Sequence, residues 1–309
     1  MSFLHFLARH ARACLVLGLL AGLALPELAA AMRPWLPHLV ALLLFMTALR
    51  VGARAALGGL GQARVSLGFV LVLQVALPLL ALGILAALDL LAWPLATAVV
   101  LMLAAPSVTG SPNFAIMTGH DPAPAMRLLV LGTALFPLTA LPVLWLLPQL
   151  GGIEAAVQAA LRLIVVTLAA VALGFAARRW LLPHPSDAQS RALDGANALA
   201  LAVIVVGLMS AIGPLARSDP QRLAWWMAAV VAVNFGLQIA GFVVLRRLPG
   251  LRSWTVPVSI IAGNRNIALF LIALPPDVTA PLLIFIGCYQ VPMYLTPILL
   301  KKLHDTARV

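Results

Sequence analysis

Ten apolar runs follow one another along this chain with little between them, at 13–31, 35–53, 65–88, 93–118, 124–148, 154–182, 192–213, 222–245, 253–274 and 279–300. A helix rises about 1.5 Å per residue, so roughly 20 residues match a hydrocarbon layer about 30 Å thick. Each run therefore reads as a transmembrane helix. Hydrophobic residues make up 63% of the chain and charged ones 9%, which excludes a water-soluble fold. The expectation is an all-α polytopic membrane protein of ten transmembrane helices.

Two of the runs carry a short polar break: Thr109-Gly110-Ser111-Pro112-Asn113 in the fourth and Gly263-Asn264-Arg265-Asn266 in the ninth. A helix unwinds inside a membrane only where its freed backbone groups are buried in protein or line a cavity. Breaks at matching places in two halves mark the binding site of a secondary transporter. These lie 152 positions apart (264 − 112), about half the chain. Division near Gly151-Gly152 gives residues 1–150 and 151–309 five runs each. The first half starts in the cytoplasm and the second outside, an inverted repeat with its broken helix in fourth place and the two broken helices, four and nine, crossing.

At the first break Pro106 and Pro112 interrupt the backbone donors, Gly110 frees the turn, and Ser111-Pro112 reads as N-cap and first residue of a new half-helix. A simple proline kink is the alternative. At the second, Gly263 ends one half-helix and Asn264 caps the next, leaving Arg265 in its first turn. A charge at this depth costs about 2.5 to 3.5 kcal/mol on insertion scales, so Arg265 requires a compensating role. Snorkelling is the bland reading, and Arg265 lies too near the middle of 253–274 for it; pairing with the carbonyl end of an opposing half-helix is another. A guanidinium beside half-helix N-termini makes a pocket for a carboxylate, sulfate or phosphate ester. The candidate contacts for a small anionic substrate are Thr109, Ser111, Asn113, Asn264, Arg265 and Asn266. Gln74, Thr133, Asn197, Asn234, Gln238, Tyr289 and Gln290 follow as a second layer, polar groups that more often join helices than hold ligands.

The net charge of +11 is an orientation signal and not a nucleic-acid surface. With a cytoplasmic N-terminus, the inner segments hold fifteen basic residues: Arg9, Arg12, Arg50, Arg54, Arg64, Arg127, Arg178, Arg179, Arg191, Arg246, Arg247, Arg252, Lys301, Lys302 and Arg308. The outer segments hold Arg33, Arg162, Arg217 and Arg222. This positive-inside bias puts both termini in the cytoplasm and the protein in the plasma (inner) membrane. Arg9 and Arg12 before an apolar run and Ala29-Ala30-Ala31 after it resemble a secretory signal, but removing that run would spoil the five-plus-five division, so it is expected to remain. Cys14 and Cys288 form no ligand spacing, and the six histidines fall in loops, helix ends or interfaces without carboxylate partners, so neither a metal nor a cofactor is expected. None of the nine acids sits at the centre of a run, and no GxSxG or HExxH is present. An enzyme lacks its reagents, and a channel or receptor ranks below a carrier.

At Gln74-Val75-Ala76-Leu77-Pro78, Ser111-Pro112-Asn113, Asn234-Phe235-Gly236-Leu237-Gln238-Ile239-Ala240-Gly241 and Gly263-Asn264-Arg265-Asn266-Ile267-Ala268-Leu269 the chain resembles the bile acid:sodium symporter superfamily. The resemblance runs over essentially the whole chain and implies ten helices in two inverted five-helix repeats, with helices four and nine unwound and crossing. It also implies sodium ligands, and there the chain departs. Aligned on Asn266 and Leu269, Ile261 stands where a sodium-binding glutamate is typical and Arg265 where a glutamine is. Asn113 and Gln74 match polar sodium-site positions, but the hydroxyl ligands of helix five fall near Ala125 and Leu129. Sodium coupling is in doubt on this pattern, and Arg265 stands in for the bound cation. The cysteine of the arsenite-exporting branch is absent from helix four. Sodium-coupled uptake and an auxin-efflux-type carrier of similar ten-helix plan are the alternative transport readings.

Overall fold

The computed structural model describes residues 2–53 and 62–307, and every regular element among them is helical. Arg54 and Arg308, two of the basic residues counted above, lie outside the described residues, as does the side chain of Arg12. In chain order the helices are α1 (Ser2–Arg9), α2 (Ala11–Ala24), α3 (Pro26–Val51), α4 (Ala63–Ala87), α5 (Pro94–Ala104), α6 (Ser111–Met117), α7 (Ala123–Leu146), α8 (Ile153–Leu181), α9 (Asp187–Ser218), α10 (Pro220–Leu245), α11 (Arg252–Gly263), α12 (Phe270–Ala273), α13 (Pro276–Leu299) and α14 (Lys301–Asp305). Seven of them, α3, α4, α7, α8, α9, α10 and α13, are long and apolar enough to cross a membrane. The protein is an all-helical, multi-pass membrane protein.

The boundaries follow local chemistry. Proline lacks the N–H an inner helical position needs, and the residue before it is pushed out of the helical region. Leu25, before Pro26, accordingly sits at φ −118°, ψ 70°. The first apolar run, expected over 13–31, therefore ends at Ala24, and residues 26–32 belong instead to α3, which was expected to begin at 35. Ser186 starts α9 with a capping box, its hydroxyl accepting from Gln189 N–H while the Gln189 side chain accepts from Ser186 N–H. Asp219 caps α10 through the Arg222 N–H. Such charged and polar caps stand at the ends of the spans, where water is available.

The helices pack as one continuous body, in which α8 touches both α3 and α7. α9 lies against α1, α2 and α3, and α8 packs along α3; α10 packs on α11 and α13, while α7 touches α4, α5, α6 and α11. The broken segments lie between these helices, α6 and α11 against α7, and α12 against α8 and α3. The interior is close-packed around Leu101, Met102, Phe136, Phe270 and Phe285, with Phe136 and Phe270 edge to face at 5.0 Å. The outer faces carry Leu80, Leu138, Val165, Leu168 and Ile298 exposed, which in water would be a severe cost and in lipid is the expected surface. Trp93, Trp145, Trp180 and Trp225 are exposed near helix ends, where an indole can keep its ring in the apolar layer and its N–H toward the headgroups.

Candidate functional site

Both interrupted segments have the same form. α5 stops at Ala104, six residues run extended or turned, and α6 resumes at Ser111; α11 stops at Gly263, three residues follow, and a single turn over Ile267–Leu269 leads into α12. The two breaks meet. Ser107 and Arg265 form an antiparallel bridge in which Val108 N–H donates to Asn264 C=O at 3.2 Å and Asn266 N–H donates to Pro106 C=O at 2.8 Å. Groups orphaned by ending a helix in the membrane interior are thus satisfied by the other break.

This pairing changes the caps expected from sequence. The residue before α6 is Gly110, so Ser111 is the first helical residue and caps nothing; its hydroxyl accepts from Ser107 Oγ at 2.9 Å. Asn264 does not open the next half-helix but closes α11, at φ −113°, ψ 92°, and Asn266 precedes the following turn. Arg265 consequently lies in the extended bridge rather than in a first helical turn.

Arg265 is 1% exposed. Its Nη1 donates to Ala105 C=O at 3.1 Å, its Nε to Ala262 C=O at 3.3 Å and its Nη2 to Leu73 C=O at 3.4 Å. Ala105 and Ala262 are the carboxyl ends of α5 and α11, and Leu73 lies in a π-turn over Val72–Ala76 in α4 that skews carbonyls out of the helical ladder. Each helix carboxyl end carries about half a negative charge, so the guanidinium balances two of them. It has no carboxylate partner: the ion pairs among the described residues are Arg50–Asp194 and Lys301–Asp305.

Behind Arg265 a buried network fixes the end of α11. Tyr289 OH donates to Gly263 C=O and accepts from Arg265 N–H at 2.8 Å. Asn234 Nδ2 donates to Gly263 C=O at 2.5 Å and to Asn264 Oδ1 at 3.2 Å; Gln238 Nε2 donates to Asn234 Oδ1 at 2.7 Å and to Thr296 Oγ1 at 3.0 Å. Asn264 Nδ2 closes the circuit on Thr296 Oγ1 at 3.2 Å and on Ile260 C=O at 2.9 Å. Gly263 is glycine because a Cβ there would collide with the Asn234 carbonyl and the Gln238 side chain. On the α4 side, Gln74 is buried and accepts from Thr139 Oγ1 at 2.8 Å.

The sequence candidates thus separate. Ser111, Asn264 and Arg265 are buried scaffold of the junction, while Thr109 and Asn266 are half-buried and Asn113 is exposed. Asn234, Gln238 and Tyr289 join the network. Gln290 turns back on Ile286 C=O at 3.1 Å, Thr133 is half-buried one and a half turns from the Thr139 that pairs with Gln74, and Asn197 belongs to α9 with its side-chain oxygen buried and unpartnered. Ser107, Thr139, Ser259 and Thr296 were not singled out; a hydroxyl inside an apolar run was the available signal. No group of three or more His, Cys, Asp or Glu able to hold a metal occurs among the described residues.

What these elements define is a multi-pass helical membrane protein whose two broken helices are joined backbone to backbone around a buried arginine. Compared with known proteins, the chain matches no family model and no curated protein.

Proposed function

We propose that the protein is a secondary transporter that moves a small organic anion by alternating access through the junction of the two broken helices. The observation that carries this reading is the paired breaks around Arg265, a fixed positive charge without a carboxylate. A monovalent anion roughly 7 Å from that charge, at an effective dielectric of about 20, gains about 2 kcal/mol, and a cation loses as much. Arg265 acts through this field from behind the junction. The groups left to touch substrate are Thr109 and Asn266, with Asn113 at the rim.

The ten-span inverted repeat is part of the proposal. Adding α2 and the two broken segments to the seven long helices makes ten. The bridge pairs residue 107 with 265, an offset of 158 (265 − 107). That offset sends Ala63–Ala87 to 221–245 and Pro94–Ala104 to 252–262, against Pro220–Leu245 and Arg252–Gly263 in the second half. The positive-inside count supports cytoplasmic termini in an inner membrane, and the resemblance to bile acid:sodium symporters supports carrier over channel. With Arg265 already seated among three carbonyl oxygens, the place a bound cation would take is filled, and transport proceeds without sodium. The test is uptake by proteoliposomes of labelled short mono- and dicarboxylates and a sulfate ester in choline buffer. Saturable uptake is expected, reduced in Thr109→Val and Asn266→Ala; uptake that appears only with sodium rejects the resident-cation reading, and uptake indifferent to both substitutions rejects the site.

A further inference from the structure

The junction does not use His304, and His304 is the most thoroughly enclosed histidine among the described residues. It lies on α14, five residues past the end of α13, yet its side chain is 0% exposed and its ring is 6.0 Å from that of Phe242 on α10. Its Nε2 is 3.4 Å from Ser259 Oγ on α11. Ser259 donates its hydroxyl proton to Gln238 C=O at 2.7 Å. A hydroxyl has one proton to give, so the hydrogen of the His304 contact belongs to Nε2. Nδ1 is then the bare acceptor of a neutral imidazole, and it is buried with no hydrogen-bond partner.

The chain of contacts continues from Ser259 to the junction. Gln238, which holds Ser259 with its carbonyl, holds Asn234 and Thr296 with its amide, and both of these bind Asn264. The Asn264 carbonyl is the acceptor for Val108 of the other break. Every link between imidazole and junction is thus a hydrogen bond or the backbone of α10, and on α14 the imidazole sits beside Leu303, which packs against the core.

We propose that His304 is a proton-binding site: a proton from water at the membrane face adds to Nδ1, the resulting imidazolium cannot remain in its buried seat, and its departure with α14 loosens the network that fixes the junction. Loss of the proton to water restores the docked state. Two donors replace a donor and an acceptor, and a buried charge without a partner is costly. The charged and titratable groups around the seat set the direction. His120, at the end of α6, opposes a positive charge there; Asp305, on α14, favours one but is shared with Lys301 at 3.3 Å; Arg246, at the end of α10, lies over the Phe242 ring at 5.8 Å. Burial dominates and pushes the imidazole from its usual 6.5 down to about 4, with His120 adding to the shift and Asp305 working against it. The stabilisation from docked His304 is therefore complete above about pH 6.5 and is lost as the pH falls toward about 4. The junction's role as a transport site enters only in what loosening would accomplish; the proton site stands or falls independently.

The test uses purified full-length protein with 15N-labelled histidines and involves no transport. One imidazole, that of His304, is expected to stay neutral down to about pH 5. Its signal is expected to vanish in His304→Gln and to move in Ser259→Ala, which assigns it even where the first variant fails to fold. The thermal midpoint is expected to drop by roughly 4 °C or more between about pH 7.5 and 5, with a smaller drop in His304→Gln. Amide exchange at 107–111 and 264–267, corrected for intrinsic rate, is expected to rise over the same interval in the unmodified protein alone. A signal from His304 titrating near 6.5, or an equal drop in midpoint with and without the imidazole, overturns the proton site; unchanged exchange at the junction overturns its coupling to the breaks.

Discussion

Replacing Arg265 by Met and by Lys separates two opposed effects whose sizes the structure sets. Removing the guanidinium removes a charge that costs about 2.5 to 3.5 kcal/mol to hold at this depth, which taken alone makes the Met variant more stable. It also leaves the carbonyls of Ala105, Ala262 and Leu73 without their donor. Each buried acceptor left unmatched costs about 1 to 3 kcal/mol, so the three together cost about 3 to 9 and outweigh the gain. The expected net loss for Arg265→Met is about 3 kcal/mol, or roughly 6 to 12 °C in thermal midpoint at about 2 to 4 °C per kcal/mol. Lysine keeps the charge against the two helix carboxyl ends but reaches fewer than three carbonyls, and the expected loss is about half as large. The midpoint order unmodified, then Lys, then Met, measured in detergent by intrinsic tryptophan fluorescence, is the prediction. A Met variant as stable as the Lys variant, or more so, refutes the claim that carbonyl neutralisation decides what occupies this position.

Three other outcomes follow from the same geometry. Arg265→Ala empties the seat while leaving its carbonyls, so sodium or potassium should raise the midpoint of that variant over choline and leave the unmodified protein unaffected; equal response in both proteins contradicts the resident-cation reading. Cysteines at Pro106 and Asn266, in a Cys14→Ser, Cys288→Ser background, should be joined rapidly by a short bifunctional reagent, because these two residues lie opposite each other in the antiparallel pairing; absence of the cross-link in folded protein removes the pairing. Reporter fusions after Ser186 and at the C-terminus should both read cytoplasmic, and a periplasmic signal from either breaks the proposed topology.

The apolar runs made most helices legible because their length and composition leave one solution in lipid, as with Ile153–Leu181 against an expected 154–182. The Leu25-Pro26 boundary was also written in the chain, as a proline that displaces its predecessor, but run length alone passed over it. Both breaks were visible as glycine, proline and asparagine inside apolar sequence. Their capping was not, because Ser111 and Asn264 were matched to the orphaned groups of their own helices, whereas those groups are met by the opposite break, about half the chain away. Arg265 was marked by the cost of its charge; that it faces carbonyl ends rather than open space depends on where α4 and α5 pass. Thr139 rather than Thr133 meets Gln74 because a helix apolar all round carries no signal for which face looks inward. His304 lies just past a span, among the histidines placed in loops, helix ends or interfaces, and its meeting with Phe242 of α10 and Ser259 of α11 depends on how α14 is turned back.

Anion transport through the junction is decided by uptake into sodium-free proteoliposomes of labelled carboxylates, a sulfate ester and a phosphate ester, in the unmodified protein and in Asn266→Ala. Saturable uptake of at least one anion is expected, competed by unlabelled compound, exceeding that of a cationic analogue and reduced in the Asn266 variant whose midpoint is unchanged. Flux that rises linearly with concentration, preference for the cation, or a strict need for sodium in the unmodified protein would contradict it.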